Sequence, residues 1–241
     1  MTARRIAHLM VSLALVAAAA AGCGTTAPSR FYTLDATAVS DGAAPLSAAI
    51  MVGPVSVPAA VDRPQFVVQA APNLVDVDEF NRWAAPLNNG IAQAVAGDLV
   101  KLLGTPNVAA APLANFEPAY RVTIEVQRFD SVPGQAATLE AVWTVRKAAG
   151  AVTRAGRTVA REPVQGDGFD ALAAAHSRAL AKLSADIAAA IRAEAEDRSP
   201  VAGRRSIGRG RIGRSQISRS LGDCARIQAY PMQIQQRKSV L

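Results

Sequence analysis

The sequence predicts an α/β fold, an α+β sandwich in which two amphipathic helices pack on one face of a mostly antiparallel sheet. Two observations predict it. Segments with strand and helix patterns follow one another in the order strands, helix, strands, helix, which is typical of helices layered on a sheet. Residues 119–129 also alternate between apolar and polar side chains, which indicates a strand with one buried and one solvated face.

Four strands are predicted before the first helix, at residues 30–34, 50–58, 65–70 and 73–78. They are rich in aromatic and β-branched residues and are separated by turn residues. Pro54 lies within the second of them, and proline has no amide hydrogen to donate to a sheet ladder. The second strand is therefore expected at a sheet edge or to contain a bulge.

Two helices are predicted, at about residues 86–103 and 168–195. Each has apolar side chains at spacings of three and four, which place them on one helical face. Gly104 and Pro106 end the first helix. Between the helices, strands at 119–129, 138–147 and 152–162 form an antiparallel meander. The apolar stripe of the second helix consists of Phe169, Leu172, His176, Leu180, Leu183, Ile187 and Ile191.

The N-terminus has the layout of a secretory signal peptide, with basic residues followed by an apolar run over residues 8–21. This run is too short to cross about 30 Å of hydrocarbon as a permanent helix. It leads into Ala20-Ala21-Gly22-Cys23, a lipobox in which small residues precede a cysteine that can receive a diacylglyceryl group. We therefore expect a signal peptide at 1–22 that is removed.

Lipidation of Cys23 would leave residues 23–29 as a tether between the membrane and the folded body. After cleavage the Cys23 amine can take a further acyl chain, and two or three long chains anchor a protein almost permanently. A lipobox favours Leu where this chain has Ala20, so an ordinary cleaved signal with a chance cysteine is the alternative. Gly24 stands where Asp would direct retention in the inner membrane, which favours the periplasmic face of the outer membrane.

The charge is unevenly distributed along the chain. The net charge of the whole sequence is +7, but the segment 23–197 carries 14 basic and 18 acidic residues. The segment 198–241 carries ten basic residues against Asp223 alone, lacks a helical or strand period, and is predicted to be a disordered tail. The mildly acidic body and the secreted location argue against nucleic-acid binding.

Few residues suggest catalysis or metal binding. The mature chain has a single histidine, His176, and its second cysteine, Cys224, lies in the basic tail, so neither an internal disulfide nor a Cys/His metal site is expected. His176 could act as a base with Asp170 or Ser177, but its place on the apolar stripe favours a core histidine. The carboxylates Asp76, Asp78 and Glu79 could bind calcium, although a solvated strand edge is the commoner outcome.

Four motifs follow the lipobox in order. They are Phe31-Tyr32-Thr33-Leu34, a Gly-Pro-x-x-x-Pro strand at 53–58, an Asp-Arg-Pro-Gln turn at 62–65, and a Phe-x-Arg-Trp-x-x-Pro-Leu helix start at 80–87. Their order and spacing resemble the PqiC-type ABC-transport auxiliary lipoproteins, also described as membrane integrity-associated transporter subunits. The resemblance covers about residues 23–196 and implies a PqiC-like domain at 30–197.

The resemblance implies a non-enzymatic component of an MCE/ABC-type intermembrane phospholipid transport system. Members of the family partner with periplasmic MCE-domain (PqiB-like) proteins, and the lipoprotein would dock an MCE tube at the outer membrane. The expected partners are thus the membrane, an MCE protein and further copies of the chain. No cofactor is implied apart from the diacylglycerol and N-acyl lipid, such as palmitate, at Cys23.

A strip of five residues is a candidate partner-binding surface: Arg63, Pro64, Phe80, Arg82 and Trp83. Trp and Arg suit interface anchors because they combine large contact area with hydrogen bonding. The alternative is structural, with Phe80 and Trp83 packed under the helix start and Arg63 or Arg82 capping local carbonyls.

Two other classes of function remain open at this point. One is a lipoprotein that assembles a surface secretion or cell-wall machine, as curli-secretion lipoproteins and penicillin-binding-protein activators do. The other is a hydrolase that uses His176.

Overall fold

The computed structural model describes residues 3–8, 10–11, 27–110, 115–148 and 152–196. Cys23 and the basic tail lie outside the described residues. Within them the strands are β1 (Arg30–Tyr32), β2 (Ile50–Ser56), β3 (Gln65–Ala71), β4 (Leu74–Trp83), β5 (Val108–Ala109), β6 (Tyr120–Val132), β7 (Ala136–Lys147) and β8 (Val152–Pro163). The two helices of the folded body are α1 (Leu87–Leu103) and α2 (Gly168–Glu196).

The larger sheet has five strands in the order β5-β2-β6-β7-β8. The long strands β6, β7 and β8 are antiparallel neighbours, as the meander predicted. The strand β2 is instead parallel to both β5 and β6, and α1 lies in the connection between β2 and β6. The register of β2 on β6 shifts between Val52 and Val55, so the bulge predicted at Pro54 is confirmed.

Both helices pack on one face of this sheet and on each other, which confirms the predicted fold class. The alternating apolar side chains of β6 and β7 point toward the helices, because only that face removes them from water. The residues that form this core include Ile91, Val95, Leu99, Val122, Ile124, Leu139, Val145, Leu172, Leu180, Leu183 and Ile187, all buried.

The strands β1, β4 and β3 form a second, smaller sheet in that order, whereas the sequence predicted a single sheet. The strand β4 also continues to Trp83, beyond the predicted end at residue 78. The Trp83 amide donates to Pro64 O at 2.7 Å and the Ala84 amide donates to Tyr32 O at 2.9 Å. The end of β4, at Arg82 and Trp83, is therefore flanked by chain on both sides, and the helix begins only at Leu87.

A segment without regular structure, residues 33–46, crosses the two helices and is called the strap below. The Ala38 amide donates to Asp98 Oδ1 at 2.8 Å, and Lys101 Nζ donates to Ala36 O at 2.5 Å. Burial raises the pKa of Asp98, and the hydrogen bonds from Ala38 and Ser184 oppose this rise only in part. The strap thus fixes the chain that follows β1 onto the helix layer.

Candidate functional site

The structure brings most of the predicted strip together at one end of the small sheet. Arg63 and Pro64 precede β3 and are exposed, and the bond from the Trp83 amide to Pro64 O places them beside the end of β4. Gln65 is paired with Arg82 in the register of β3 and β4. The four surface members of the strip, Arg63, Pro64, Phe80 and Arg82, therefore share one end of the domain.

Trp83 is not part of this surface. Its side chain is 6% exposed and stacks on Phe66 with ring centroids 4.2 Å apart, and it meets the ring of Phe129 edge-on at 6.1 Å. Burying an aromatic side chain of this size removes a large apolar area from water, and Trp83 stabilises the core between the two sheets. The structure therefore places its side chain in the core and not on the exposed surface of the strip.

Phe80 projects from an irregularity in β4. Between Gln65 and Phe66 the register of β3 on β4 shifts, which leaves residues 79–81 without direct partners on β3. Asp78 Oδ1 accepts the amides of Phe80 at 2.9 Å and Asn81 at 2.8 Å. Burial alone would raise the pKa of Asp78, but these hydrogen bonds outweigh it and lower the pKa.

Arg82 is held along the same strand. Its Nε donates to Glu79 O at 2.8 Å, and its Nη2 lies 3.6 Å from Glu79 Oε2. The capping of a local carbonyl by Arg82, which the sequence left open, is thus present. The Arg82 side chain remains 35% exposed, so a contact with another molecule is still sterically available.

The chain leading to Cys23 enters the domain at this same end. A cleft of about 410 Å³ is lined by Ala27, Pro28, Arg30, Phe80 and Phe169, among others. Ala27 lies in the predicted tether, four positions after Cys23, and is the first described residue after that cysteine. Phe80 of the strip therefore lies next to the described part of the tether.

Sequence reasoning missed Phe31 as a surface residue. Its side chain is 64% exposed, while the neighbouring Tyr32 packs edge-on against Phe66 at 5.9 Å. The register of β1 on β4 pairs Phe31 with Arg82. The alternation of side chains along a strand could have indicated that either Phe31 or Tyr32 faces outward, but not which of them.

His176 lies in the core and is 0% exposed. Its Nε2 is 2.8 Å from Ser131 Oγ, and its ring stacks on Phe129 at 3.8 Å. Among the described residues no group bonds its Nδ1. Burial lowers the pKa of His176 to about 3, so the ring is neutral at ordinary pH.

Neither residue proposed to assist His176 is hydrogen-bonded to it. Ser177 Oγ accepts the Asp35 amide at 3.0 Å and donates to Ala173 O at 2.9 Å. The actual partner, Ser131, is 2% exposed. Both side chains of this serine–histidine pair are thus enclosed in the core in this structure.

Two of the three carboxylates considered for calcium, Asp78 and Glu79, have local protein partners. Asp78 bonds its own strand, and Glu79 accepts Gln65 Nε2 at 3.3 Å. In the parts of the chain that the structure describes, no cluster of three or more His, Cys, Asp or Glu side chains is arranged to hold a metal ion. The helices within those parts are also too short or too polar to span a bilayer.

The face of the large sheet opposite the helices forms a second candidate surface. Val159 on β8 is 63% exposed, and its neighbour Thr158 bonds Asp186 of α2 at 2.5 Å, so Val159 points away from the helix layer. A hollow of about 210 Å³ on this face is lined by Pro54, Ser56, Thr123, Glu125, Val142 and Thr144, among others. This open face therefore has mixed polarity, with apolar and charged side chains side by side.

The chain matches the family model described as ABC-type transport auxiliary lipoprotein component over residues 32–188. In structure it is similar to the crystal structure of a Xanthomonas campestris protein assigned to DUF330, with 21% sequence identity and a TM-score of 0.57. That similarity covers 69% of this chain and 99% of the other. A crystal structure of an uncharacterized protein gives the same identity and TM-score, and covers 68% of this chain and 99% of that one. A comparison with curated proteins finds no match.

At 21% identity the two crystal structures bear on the fold alone, and they agree with the arrangement of strands and helices described above. The family model covers well over half of the sequence and begins two residues into β1. The protein therefore belongs to the family of ABC-type transport auxiliary lipoprotein components.

Proposed function

We propose that this protein is an outer-membrane-anchored lipoprotein of an MCE/ABC-type intermembrane phospholipid transport system, and that it docks a periplasmic MCE-protein tube. The observation that carries the proposal is the family match over residues 32–188, which starts shortly after a lipobox cysteine. An anchored body with no substrate-accessible catalytic group among its described residues is suited to holding a partner in place. The role is therefore one of attachment and docking.

Cys23 is the proposed site of lipidation and Gly24 the residue that favours outer-membrane sorting. In this organisation residues 1–22 are removed, 23–29 form the lipidated tether, 30–197 form the body, and 198–241 form the basic tail. Two or three acyl chains, each contributing roughly 0.8 kcal/mol per buried methylene, hold the body at the membrane surface. The acyl chains, palmitate among them, are the one non-protein group in the proposal.

The open face of the large sheet is the surface proposed for the protein partner. It lies on the opposite side of the sheet from the helix layer and presents Val159 together with paired charges such as Arg157 and Glu140. A mixture of apolar and charged groups is typical of interfaces between proteins that also exist apart. Further copies of the chain could share this face, so self-association is part of the same proposal.

The test is photo-crosslinking in intact cells. A photoreactive residue in place of Val159 is expected to give an adduct with an MCE-domain protein, and Cys23→Ser is expected to lower its yield several-fold because the body is no longer held at the membrane. Adducts with a secretion or cell-wall protein would support the alternative, a lipoprotein that assembles a surface machine. Absence of an MCE adduct from fully acylated protein would contradict the docking proposal.

A further inference from the structure

The exposed apolar side chains of this domain are concentrated on the small sheet. Seven large apolar residues are exposed within the described part of residues 27–196, and five of them lie on β1 or β4: Phe31, Leu74, Val75, Val77 and Phe80. A cluster of exposed apolar groups marks a contact surface more often than scattered single residues do. The small sheet is thus the part of the body where contact with another surface would remove the most exposed apolar side chains from water.

Two of these side chains, Phe31 and Phe80, lie near the described chain that follows Cys23. Phe31 neighbours Arg82 in the register of β1 on β4, and Phe80 lines the same cleft as Ala27, Pro28 and Arg30. We call Arg30, Phe31, Phe80 and Arg82 the anchor corner. Phe31 lies opposite Arg82 and so only two residues along β4 from Phe80. Both side chains are exposed, Phe31 by 64% and Phe80 by 41%.

The length of the tether limits how far this corner can be from the lipid. From Cys23 to Ala27 the chain advances four residues, which span at most about 14 Å when fully extended. An acylated Cys23 is held at the level of the headgroups, a layer roughly 6 Å thick on each side of the hydrocarbon. The cleft that contains Ala27 must then stay close to the bilayer surface.

Resting on the proposed acylation of Cys23, the geometry points to the bilayer surface as the occupant of the anchor corner: Phe31 and Phe80 insert among the lipid headgroups, with Arg30 and Arg82 beside them. Amphipathic surfaces of this kind bind membranes by burying apolar side chains at the acyl boundary. Arginine can lay its methylene groups along that boundary and keep its charge in water. The corner would fix the orientation of the body, which a flexible tether alone cannot do.

The charges around the corner are balanced. Arg82 is already paired with Glu79, and the cleft contains Asp170 as well as Arg30. Electrostatic attraction to anionic lipid therefore contributes little, and the contact depends on the two phenyl rings. Binding is expected to change little with the fraction of phosphatidylglycerol in the vesicles or with the salt concentration.

The experiment places a photoreactive phenylalanine analogue at Phe31 or Phe80 of the full-length acylated protein, in vesicles of phosphatidylethanolamine and phosphatidylglycerol. The matched control carries the same analogue at Val159, which is as exposed as Phe31 but lies on the open face of the large sheet. Mass spectrometry should find phospholipid adducts at Phe31 and Phe80 at least fivefold above the control. Equal yields at the three positions, or adducts with protein at Phe31 and Phe80, would overturn the inference.

A second variant, with twelve Gly and Ser residues inserted between Thr26 and Ala27, distinguishes closeness imposed by the short tether from affinity of the anchor corner for lipid. A longer tether lets the body drift from the bilayer, so retention of more than half of the lipid adduct at Phe31 supports a surface with its own affinity. A fall of the lipid adduct at Phe31 to the yield seen at Val159 would refute the inference. Intact mass of the same samples reports acylation of Cys23, so an unmodified cysteine would identify a failure of the proposed function instead.

Discussion

His176 should make the folded domain less stable as the pH falls below about 6.5. Burial lowers its pKa to about 3 in the folded state, whereas an unfolded chain would protonate it near 6.5. Between these values the unfolded state binds one more proton than the folded state, so stability is fully present above pH 6.5 and is lost on acidification. Each pKa unit corresponds to about 1.36 kcal/mol.

The size of the stability loss follows from the difference between the folded-state and unfolded-state pKa values of His176. At pH 5 the loss should be about 2 kcal/mol relative to pH 7.5, and at pH 3 it should approach about 4 to 5 kcal/mol. Small domains typically have a free energy of unfolding of about 5–15 kcal/mol. The titration of this one buried ring should therefore be measurable as a large share of the total stability.

The assay is urea unfolding followed by the fluorescence of the buried Trp83 and Trp143, at pH 7.5, 6, 5 and 4, on protein with Cys23 replaced by serine. The matched variant is His176→Phe combined with Ser131→Ala, because Phe keeps the stacking on Phe129 and the alanine avoids leaving the Ser131 hydroxyl unpaired. Other titrating groups are common to both proteins. The difference between their pH profiles therefore isolates His176.

A flat difference between the two profiles from pH 7.5 to pH 4 would refute the reasoning. It would mean that the ring is protonated as easily in the folded state as in the unfolded one. A difference of the opposite sign would mean that the charged ring is stabilised by the fold.

Three further predictions concern packing and anchoring. Gly97→Ala in α1 should destabilise the domain by about 1–3 kcal/mol, because the new Cβ would lie 2.7 Å from Ala36 Cβ of the strap. The control is Gly90→Ala in the same helix, which has room, with Leu34 Cδ1 at 3.7 Å, and should stabilise the domain by about 0.5–1 kcal/mol. Equal effects of the two substitutions in chemical denaturation would contradict this account. Gly156→Ala should lower the melting temperature by several degrees, since its Cβ would lie 2.3 Å from Trp143 Cζ2, and an unchanged melting curve would show that the Trp143 ring can move freely. Cys23→Ser should release the protein from the membrane fraction into the periplasm on cell fractionation, and full retention in the membrane would argue against a lipid anchor.

The candidate site was only partly predictable. The motif around residues 80–87 drew attention to Phe80, Arg82 and Trp83. Four of the five residues of the strip do meet on the surface at one end of the small sheet. A motif indicates which residues belong together, but it does not indicate which side of the backbone each one occupies. Trp83 faces the core and Arg82 faces outward, since adjacent residues of a strand point to opposite sides.

Sequence alone determined the order of the longer elements, the bounds of α1 and α2 to within a residue, and the buried stripe of each helix, because these depend on apolar spacing within a few turns of chain. It missed the two-residue strand β5. Tertiary structure decided the rest. The pairing of Arg30 with Asn81 and the parallel pairing of Ile50 with Tyr120 join residues far apart in the chain, and no local pattern distinguishes such a partner from any other strand. Those long-range pairings divide the strands into two sheets, extend β4 through Trp83 and bring Ser131 to His176. They also leave Phe31 and Phe80 near the point where the tether joins the body.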